Sequence, residues 1–121
     1  MNVSHTQSLL AHQWKGYPQF HRSPGNLVIH FVAVPAFIAS NVVLIFALAS
    51  ASWLAAAVSL TAMAASVFAQ GRGHQRESTP PEPFTGPTNA IVRIVAEQWI
   101  TFPRYVLSGD WFLALHASAE R

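Results

Sequence analysis

The chain has 121 residues, of which 51% are hydrophobic and only 10% are charged, and its formal net charge is +2. This length suits a single domain spanning residues 1–121, and the absence of cysteine excludes disulfides, thiolate catalysis and iron–sulfur clusters. The seven Lys and Arg residues are scattered singly, so no basic run could follow a phosphate backbone, and we exclude nucleic acid as a partner.

The residues before Pro24 predict a short amphipathic segment. Apolar and aromatic residues recur along it and form one face: Leu9, Leu10, Trp14, Tyr17 and Phe20. Such a face is typical of a helix that lies in the interface of a membrane.

The stretch between Arg22 and Arg72 contains no Asp, Glu, Lys or Arg. A membrane-spanning helix needs roughly 20 predominantly apolar residues, so this stretch holds two such helices, at about residues 24–48 and 52–70. The connection at residues 50–52 is short, which makes the two helices antiparallel neighbours. The alternative is a buried hairpin in a soluble protein, but a chain of this length offers too little polar surface to cover one.

Local signals support both helices. Ser23 followed by Pro24 is typical of a helix start, and Gly71 with Gly73 predicts the end of the second helix. Small residues recur every fourth position of that helix and should let two backbones approach closely in lipid: Ala57, Thr61, Ala65 and Ala69.

The basic residues give the orientation. They flank the hairpin at both ends and are missing from its connection: Lys15, Arg22, Arg72 and Arg76. The positive-inside rule then places both ends of the hairpin in the cytoplasm. We therefore expect an integral protein of the inner membrane of a bacterium.

The last third of the chain begins with a Pro-rich loop at residues 78–87, where consecutive prolines forbid a helix. An amphipathic helix at about residues 88–102 should follow, with Pro103 breaking or kinking it. Arg93 and Glu97 can pair along one face of this helix. It lies in the interface or packs its polar stripe against the hairpin, and we prefer the interface.

A final apolar patch at residues 111–115 is expected to dip into the same surface. The predicted fold is thus an all-α membrane protein. It consists of an antiparallel transmembrane helical hairpin with amphipathic interfacial helices at both ends.

The hairpin topology gathers three of the six histidines. His21 lies just before the first helix, His30 about two turns inside it, and His74 just past the end of the second. A hairpin returns to the side from which it started, so all three fall near one membrane face. Ionisable groups at the depth of His30 usually face protein or a cavity. Three imidazoles in a cysteine-free site suit a first-row transition metal.

Further residues could complete this metal site. Glu77 shares a face with His74 if the backbone stays helical there, and His12 is a reserve fourth ligand. His5 and His116 lie in polar or terminal stretches and should be solvated. His12 should be solvated as well if it is not a ligand.

The surroundings of the site fit a lipid-like acid as substrate. Arg22 and Arg76 flank the three histidines at the depth of lipid headgroups and could pair with a carboxylate, while the helices offer an apolar slot for a tail. Asn26 lies one turn from His30 on the same helix face and could orient its imidazole. We predict Arg22 and Asn26 as residues that serve substrate binding.

Two motifs carry a family resemblance. Residues 21–30 read H-x-x-P-x-N-x-x-x-H, with Pro35 following, and residues 70–74 read Q-x-x-G-H, with Glu77 soon after. Together they resemble the signatures of the 2-hydroxy fatty acid dioxygenase-like family of small membrane proteins. The resemblance implies Fe(II), dioxygen and release of a fatty acid shortened by one carbon, as in α-oxidation. It also implies that His21, His30 and His74 are catalytic and hold the iron.

Two functions of other classes stay open from the sequence. A small membrane electron-transfer protein could bind haem between His30 and His74. A non-catalytic membrane adaptor could use the histidines for packing alone.

Overall fold

The computed structural model describes the backbone of residues 3–119 and the side chains of residues 9–119. Within this range the chain forms helices and loops without a strand, which confirms the all-α prediction. The helices are α1 (Val3–Phe20), α2 (Pro24–Ala49), α3 (Trp53–His74), α4 (Pro87–Ala96), a π-helical segment (Glu97–Thr101), α5 (Phe102–Leu107) and α6 (Asp110–Ala119). The His5 side chain lies outside the described residues.

Helices α2 and α3 form the predicted antiparallel hairpin. Both are long and apolar enough to cross a membrane. Their outer surface carries large apolar side chains that are exposed. Four of them are at least 66% exposed: Val32, Phe46, Leu54 and Phe68. The turn at residues 50–52 is tight, because Ala51 adopts a left-handed φ of 54° and the Ser52 N–H donates to the Ala47 carbonyl over 2.8 Å.

The face that α3 turns towards α2 is not the predicted stripe of small residues. Ala57, Thr61 and Ala65 lie on the exposed side. The buried positions of α3 are instead Ala56, Ser59, Ser66, Gln70 and Gly73. Both faces of α3 carry small side chains. The buried face also carries hydroxyl and amide groups, which need hydrogen-bond partners when they are buried. The Ser66 hydroxyl finds one on α2, where it donates to the Ala33 carbonyl over 2.6 Å.

The two glycines near the end of α3 do not terminate it, because the helix continues to His74. A Cβ atom on Gly73 would run into the side-chain amide of Asn26 and lie 3.4 Å from its Cα. A Cβ atom on Gly71 would meet nothing within 4 Å. Gly73 therefore permits a close approach between α2 and α3, and the helix end that we predicted from it is wrong.

Pro103 does not break the third predicted helix, since the chain stays helical from Pro87 to Leu107. Proline lacks an N–H and crowds the preceding turn of an α-helix. A wider π-helical turn at Glu97–Thr101 precedes it in the chain. Gln98 and Thr101 on this turn are 1% and 2% exposed, so the polar stripe packs inward rather than in the interfacial arrangement that we preferred.

The π-helical segment and α6 contact α2, and α1 and α5 share a core with it. The shared core consists of Tyr17, Leu27, Val34, Phe102, Tyr105 and Trp111. The Trp111 indole is buried and donates its N–H to the Leu27 carbonyl over 2.9 Å. Residues 111–115 are thus divided between the core and the surface, where Phe112 and Leu113 are exposed.

Candidate metal centre

His21, His30 and His74 meet Glu97 at one point of the fold. One donor atom from each of the four residues lies within 4.8 Å of the others. The three imidazole centroids are 4.7, 4.8 and 4.9 Å apart in pairs. His21 and His30 are buried, whereas His74 and Glu97 are half-buried. The structure therefore shows the predicted convergence of the three imidazoles.

Backbone carbonyls orient two of the imidazoles. The Nδ1–H of His21 donates to the Tyr17 carbonyl over 2.9 Å, and the Nδ1–H of His30 donates to the Asn26 carbonyl over 3.1 Å. A carbonyl only accepts, so the proton resides on Nδ1 in both rings and the Nε2 lone pair is left for the cluster. A partner of this kind is typical of metal-binding histidines.

The donor atoms that face the cluster lack hydrogen bonds. His21 Nε2, His30 Nε2 and His74 Nδ1 are buried without a hydrogen-bond partner in the described part of the chain. A carboxylate oxygen of Glu97 lies 3.4 Å from His21 Nε2 and 3.6 Å from His30 Nε2. A carboxylate that faces imidazole nitrogens needs a cation between them, and either a proton on an imidazole or a bound metal ion can supply it. The donor set thus fits a metal ion.

Glu97 contributes the negative charge of the cluster. Burial pushes the pKa of its carboxyl upward, but the interactions with His21 and with the other two imidazoles outweigh burial and lower the pKa to about 2. The Tyr17 hydroxyl also donates to its Oε2 over 2.9 Å. Glu97 is therefore an anion at neutral pH and suits a divalent cation.

Buried amides hold the π-helical segment that carries Glu97. Gln70 and Gln98 exchange two hydrogen bonds of 2.8 and 2.7 Å, which tie the segment to α3. The Thr101 hydroxyl donates to Gln13 over 2.7 Å and ties it to α1. A π-helical turn occurs frequently at functional sites, and here it turns Glu97, Gln98 and Thr101 towards the protein interior.

Glu77, which we predicted as a metal ligand, lies outside the cluster. Its carboxylate accepts the backbone N–H groups of Arg22 and Ser23 over 2.9 to 3.1 Å and the Asn26 amide over 2.8 Å. The positive end of α2 attracts this carboxylate. Glu77 thus caps the start of α2 in place of the Ser23 side chain, and Glu97 occupies the position in the cluster that we expected for Glu77.

The predicted pair between Arg93 and Glu97 does not form. Arg93 donates instead to the carbonyls of Glu82 and Pro83, each over 3.0 Å. The sequence does hold a signal for Glu97, because an acid within an apolar helical stretch usually faces protein. The sequence analysis paired this acid with Arg93 along one helix face and did not include it in the metal site.

The predicted substrate residues lie elsewhere. Arg22 is exposed, and neither it nor Asn26 lines the cavity beside the cluster. Asn26 is fully buried, its side-chain amide donates a hydrogen bond to Glu77, and its backbone carbonyl accepts one from His30.

His12 and His116 are exposed to solvent, as expected. The His12 imidazole lies 2.8 Å from the Glu82 carboxylate, away from the cluster.

A cavity of about 700 Å³ adjoins the metal cluster. His21, His74, Glu97 and Tyr17 form part of its wall. Much of the remainder is apolar and comes from α1, α3, α4 and the Pro-rich loop: Leu9, Phe20, Val67, Phe84, Ile94, Pro80, Pro81 and Pro83. The space beside the cluster therefore suits a molecule with a polar group and an apolar tail.

No protein-family model matches the sequence, and comparison with curated proteins and with solved structures gives no significant match. The chemistry of the site follows from its own donor atoms. Imidazole nitrogens suit iron, copper, zinc and nickel. The cluster of three imidazoles and one carboxylate can hold such an ion at the wall of the cavity.

Proposed function

We propose that the protein is an Fe(II)-dependent dioxygenase that shortens 2-hydroxy fatty acids by one carbon. One observation carries this proposal: buried nitrogen atoms of three imidazoles that lack hydrogen-bond partners converge with a carboxylate at the wall of a largely apolar cavity. An iron ion held there would supply Lewis-acid and oxygen-activating chemistry.

The cluster residues have defined tasks in this proposal. His21, His30 and His74 hold the iron through the nitrogen atoms that lack other partners. Glu97 balances the charge, and the Tyr17 hydroxyl donates a hydrogen bond to its carboxylate oxygen Oε2. The carbonyls of Tyr17 and Asn26 keep two imidazoles in the binding tautomer.

The cavity supports an amphiphilic acid as substrate. Its apolar walls accept an alkyl chain, and among the described residues that line it Arg93 is the arginine. Arg93 lies one helical turn from Glu97, so we assign to it the attraction of the substrate carboxylate that we first assigned to Arg22. Its guanidinium also lies 4.5 Å from the centre of the Phe84 ring and fixes the Pro-rich loop over the cavity.

The proposed reaction balances with one molecule of dioxygen per acid. A 2-hydroxy acid, R–CH(OH)–COOH, and O₂ give R–COOH, CO₂ and H₂O. The bond between C1 and C2 breaks, C2 is oxidised to the new carboxyl carbon, and dioxygen is reduced. No further reductant is needed, which fits a site that carries no second cofactor in this proposal.

The exposed apolar surface of α2 and α3 supports a place in the membrane. We propose that this is the inner membrane of a bacterium, with both hairpin ends in the cytoplasm because the basic residues flank the hairpin. Because the chain has no cysteine, single cysteines report the topology. Gln75→Cys should react with a membrane-impermeant maleimide only from the cytoplasmic side, and Ser50→Cys only from the opposite side. Labelling of both variants from one side would contradict the hairpin orientation.

The reaction is tested with protein reconstituted anaerobically with Fe(II). After addition of a 2-hydroxy fatty acid and oxygen, mass spectrometry should detect the acid that is one carbon shorter. The unhydroxylated fatty acid of equal length is the matched control and should remain intact, because it lacks the second oxygen donor at C2. Absence of the shortened acid with iron bound would exclude this function.

The packing of the cluster favours an ion over haem. The imidazole centroids are at most 4.9 Å apart, which leaves no space for a porphyrin between any two of them. The purified protein should therefore show no Soret band. Bound iron also distinguishes the dioxygenase from an adaptor whose histidines serve only for packing.

A further inference from the structure

Three oxidisable aromatic rings lie in contact from the metal cluster to the protein surface. The Tyr17 ring stacks on His21 with centroids 3.7 Å apart. The Tyr105 centroid lies 4.9 Å from that of Tyr17, and the Trp14 centroid lies 6.2 Å from that of Tyr105. Tyr17 and Tyr105 are buried, whereas Trp14 is half-buried beneath the exposed guanidinium of Arg104, 3.9 Å from its ring.

This path leads from the cluster away from the substrate cavity. Tyr17 lines the cavity, but Tyr105 and Trp14 do not. The rings therefore connect the cluster to a second surface, beside α1 and α5. Phenylalanine would fill the same apolar space, whereas tyrosine and tryptophan can also lose an electron. The Tyr17 hydroxyl has a proton acceptor at hand in the Glu97 carboxylate, 2.9 Å away.

We propose that Tyr17, Tyr105 and Trp14 form an electron-transfer path between the metal centre and the protein surface. The inference rests on the proposed redox function of the centre. It adds a second activity, which is reduction of the centre by an external one-electron donor of the ascorbate class. At a centre that uses oxygen, this activity protects the protein when oxidation occurs without substrate.

The net result is the transfer of one electron from the external donor to the metal centre. When the transfer is complete, no bond of the protein has changed. Tyr17 would give an electron to an oxidised metal ion held by the cluster, and its hydroxyl proton would move to Oε2 of Glu97. The tyrosyl radical then takes an electron from Trp14 by way of Tyr105, and its proton returns from Glu97. The cation radical of Trp14 takes an electron from the external donor, which is the species oxidised overall.

A flash-photolysis experiment tests the path without any metal. The full chain with Gln75→Cys is labelled with a ruthenium photo-oxidant, since residue 75 is exposed and lines the cavity beside His74. After the flash, transient absorption should show a tryptophan radical. Trp14→Phe should remove this radical, and Tyr105→Phe should delay it.

The matched control is Trp53→Phe, because Trp53 is 69% exposed and begins α3, at the end of the hairpin away from the cluster. This variant should keep the full radical signal. A signal that survives Trp14→Phe but disappears with Trp53→Phe would overturn the path. Circular dichroism of each variant confirms folding, and the conservative Tyr105→Phe change provides a second readout if Trp14→Phe does not fold.

A second arm uses iron-loaded protein exposed to oxygen without an organic substrate. Peptide mass spectrometry should find oxidation at Trp14 ahead of Trp53 and Trp99, although these two are 69% and 41% exposed. Oxidation that follows solvent exposure instead would contradict the inference. Failure to bind iron would overturn the proposed function, whereas the flash experiment would still decide the electron path.

Discussion

The His30→Ala variant should lose its bound metal, with iron falling from a stoichiometric amount to background. His30 is fully buried, and its Nε2 faces the cluster without another partner. Loss of an outer hydrogen-bond partner of a ligand already costs about 10–100-fold in metal affinity, so loss of the ligand itself should cost more. Anaerobic titration with Fe(II), followed by metal analysis after desalting, measures the effect.

His12→Ala is the matched control for this variant. His12 is exposed and lies against Glu82, away from the cluster. Its removal should leave the metal content unchanged. Equal metal content in wild-type protein and a folded His30→Ala variant would eliminate the proposed centre.

Alanine at the two glycines of α3 should change stability in opposite directions. A Cβ atom on Gly73 collides with the Asn26 side chain and presses on its backbone, and such overpacking costs typically about 1–3 kcal/mol. A Cβ atom on Gly71 meets nothing within 4 Å, and alanine in a helix is favoured over glycine by roughly 0.5–1 kcal/mol. Thermal unfolding in detergent should therefore rank Gly71→Ala above the wild type and Gly73→Ala below it.

Metal binding gives the same pair of variants a second readout. The Asn26 carbonyl holds the His30 imidazole, so a shift of Asn26 away from residue 73 should also weaken metal affinity in Gly73→Ala. Gly71→Ala should bind metal as the wild type does. Similar unfolding temperatures for the two variants would show that α2 and α3 do not approach closely at Gly73.

The hairpin could be predicted because its signals are local. A long stretch without charge sets the length of each helix, and a short connection forces two such helices to be antiparallel. The positions of His21, His30 and His74 then follow from the rise of a helix, since the chain leaves and returns at one end of the hairpin. The convergence of the three imidazoles was predictable for this reason.

The acid of the cluster could not be predicted in the same way. Glu77 and Glu97 are both separated from the hairpin by turns or loops, and their positions depend on how the chain returns after His74. The backbone N–H groups at the start of α2 donate hydrogen bonds to the Glu77 carboxylate and keep it out of the cluster. The π-helical turn, which has no local signature in the sequence, directs Glu97 to the imidazoles.

The sequence by itself thus determined the elements whose cause is composition and spacing: the two apolar helices, their tight turn and the three histidines at one end. The tertiary structure alone decided which face of α3 packs on α2, which carboxylate joins the cluster and which cation lines the cavity. The physical reason is that burial selects among several equally apolar or equally charged positions. That selection depends on which hydrogen-bond partners the folded chain brings within reach, and no single segment contains this information.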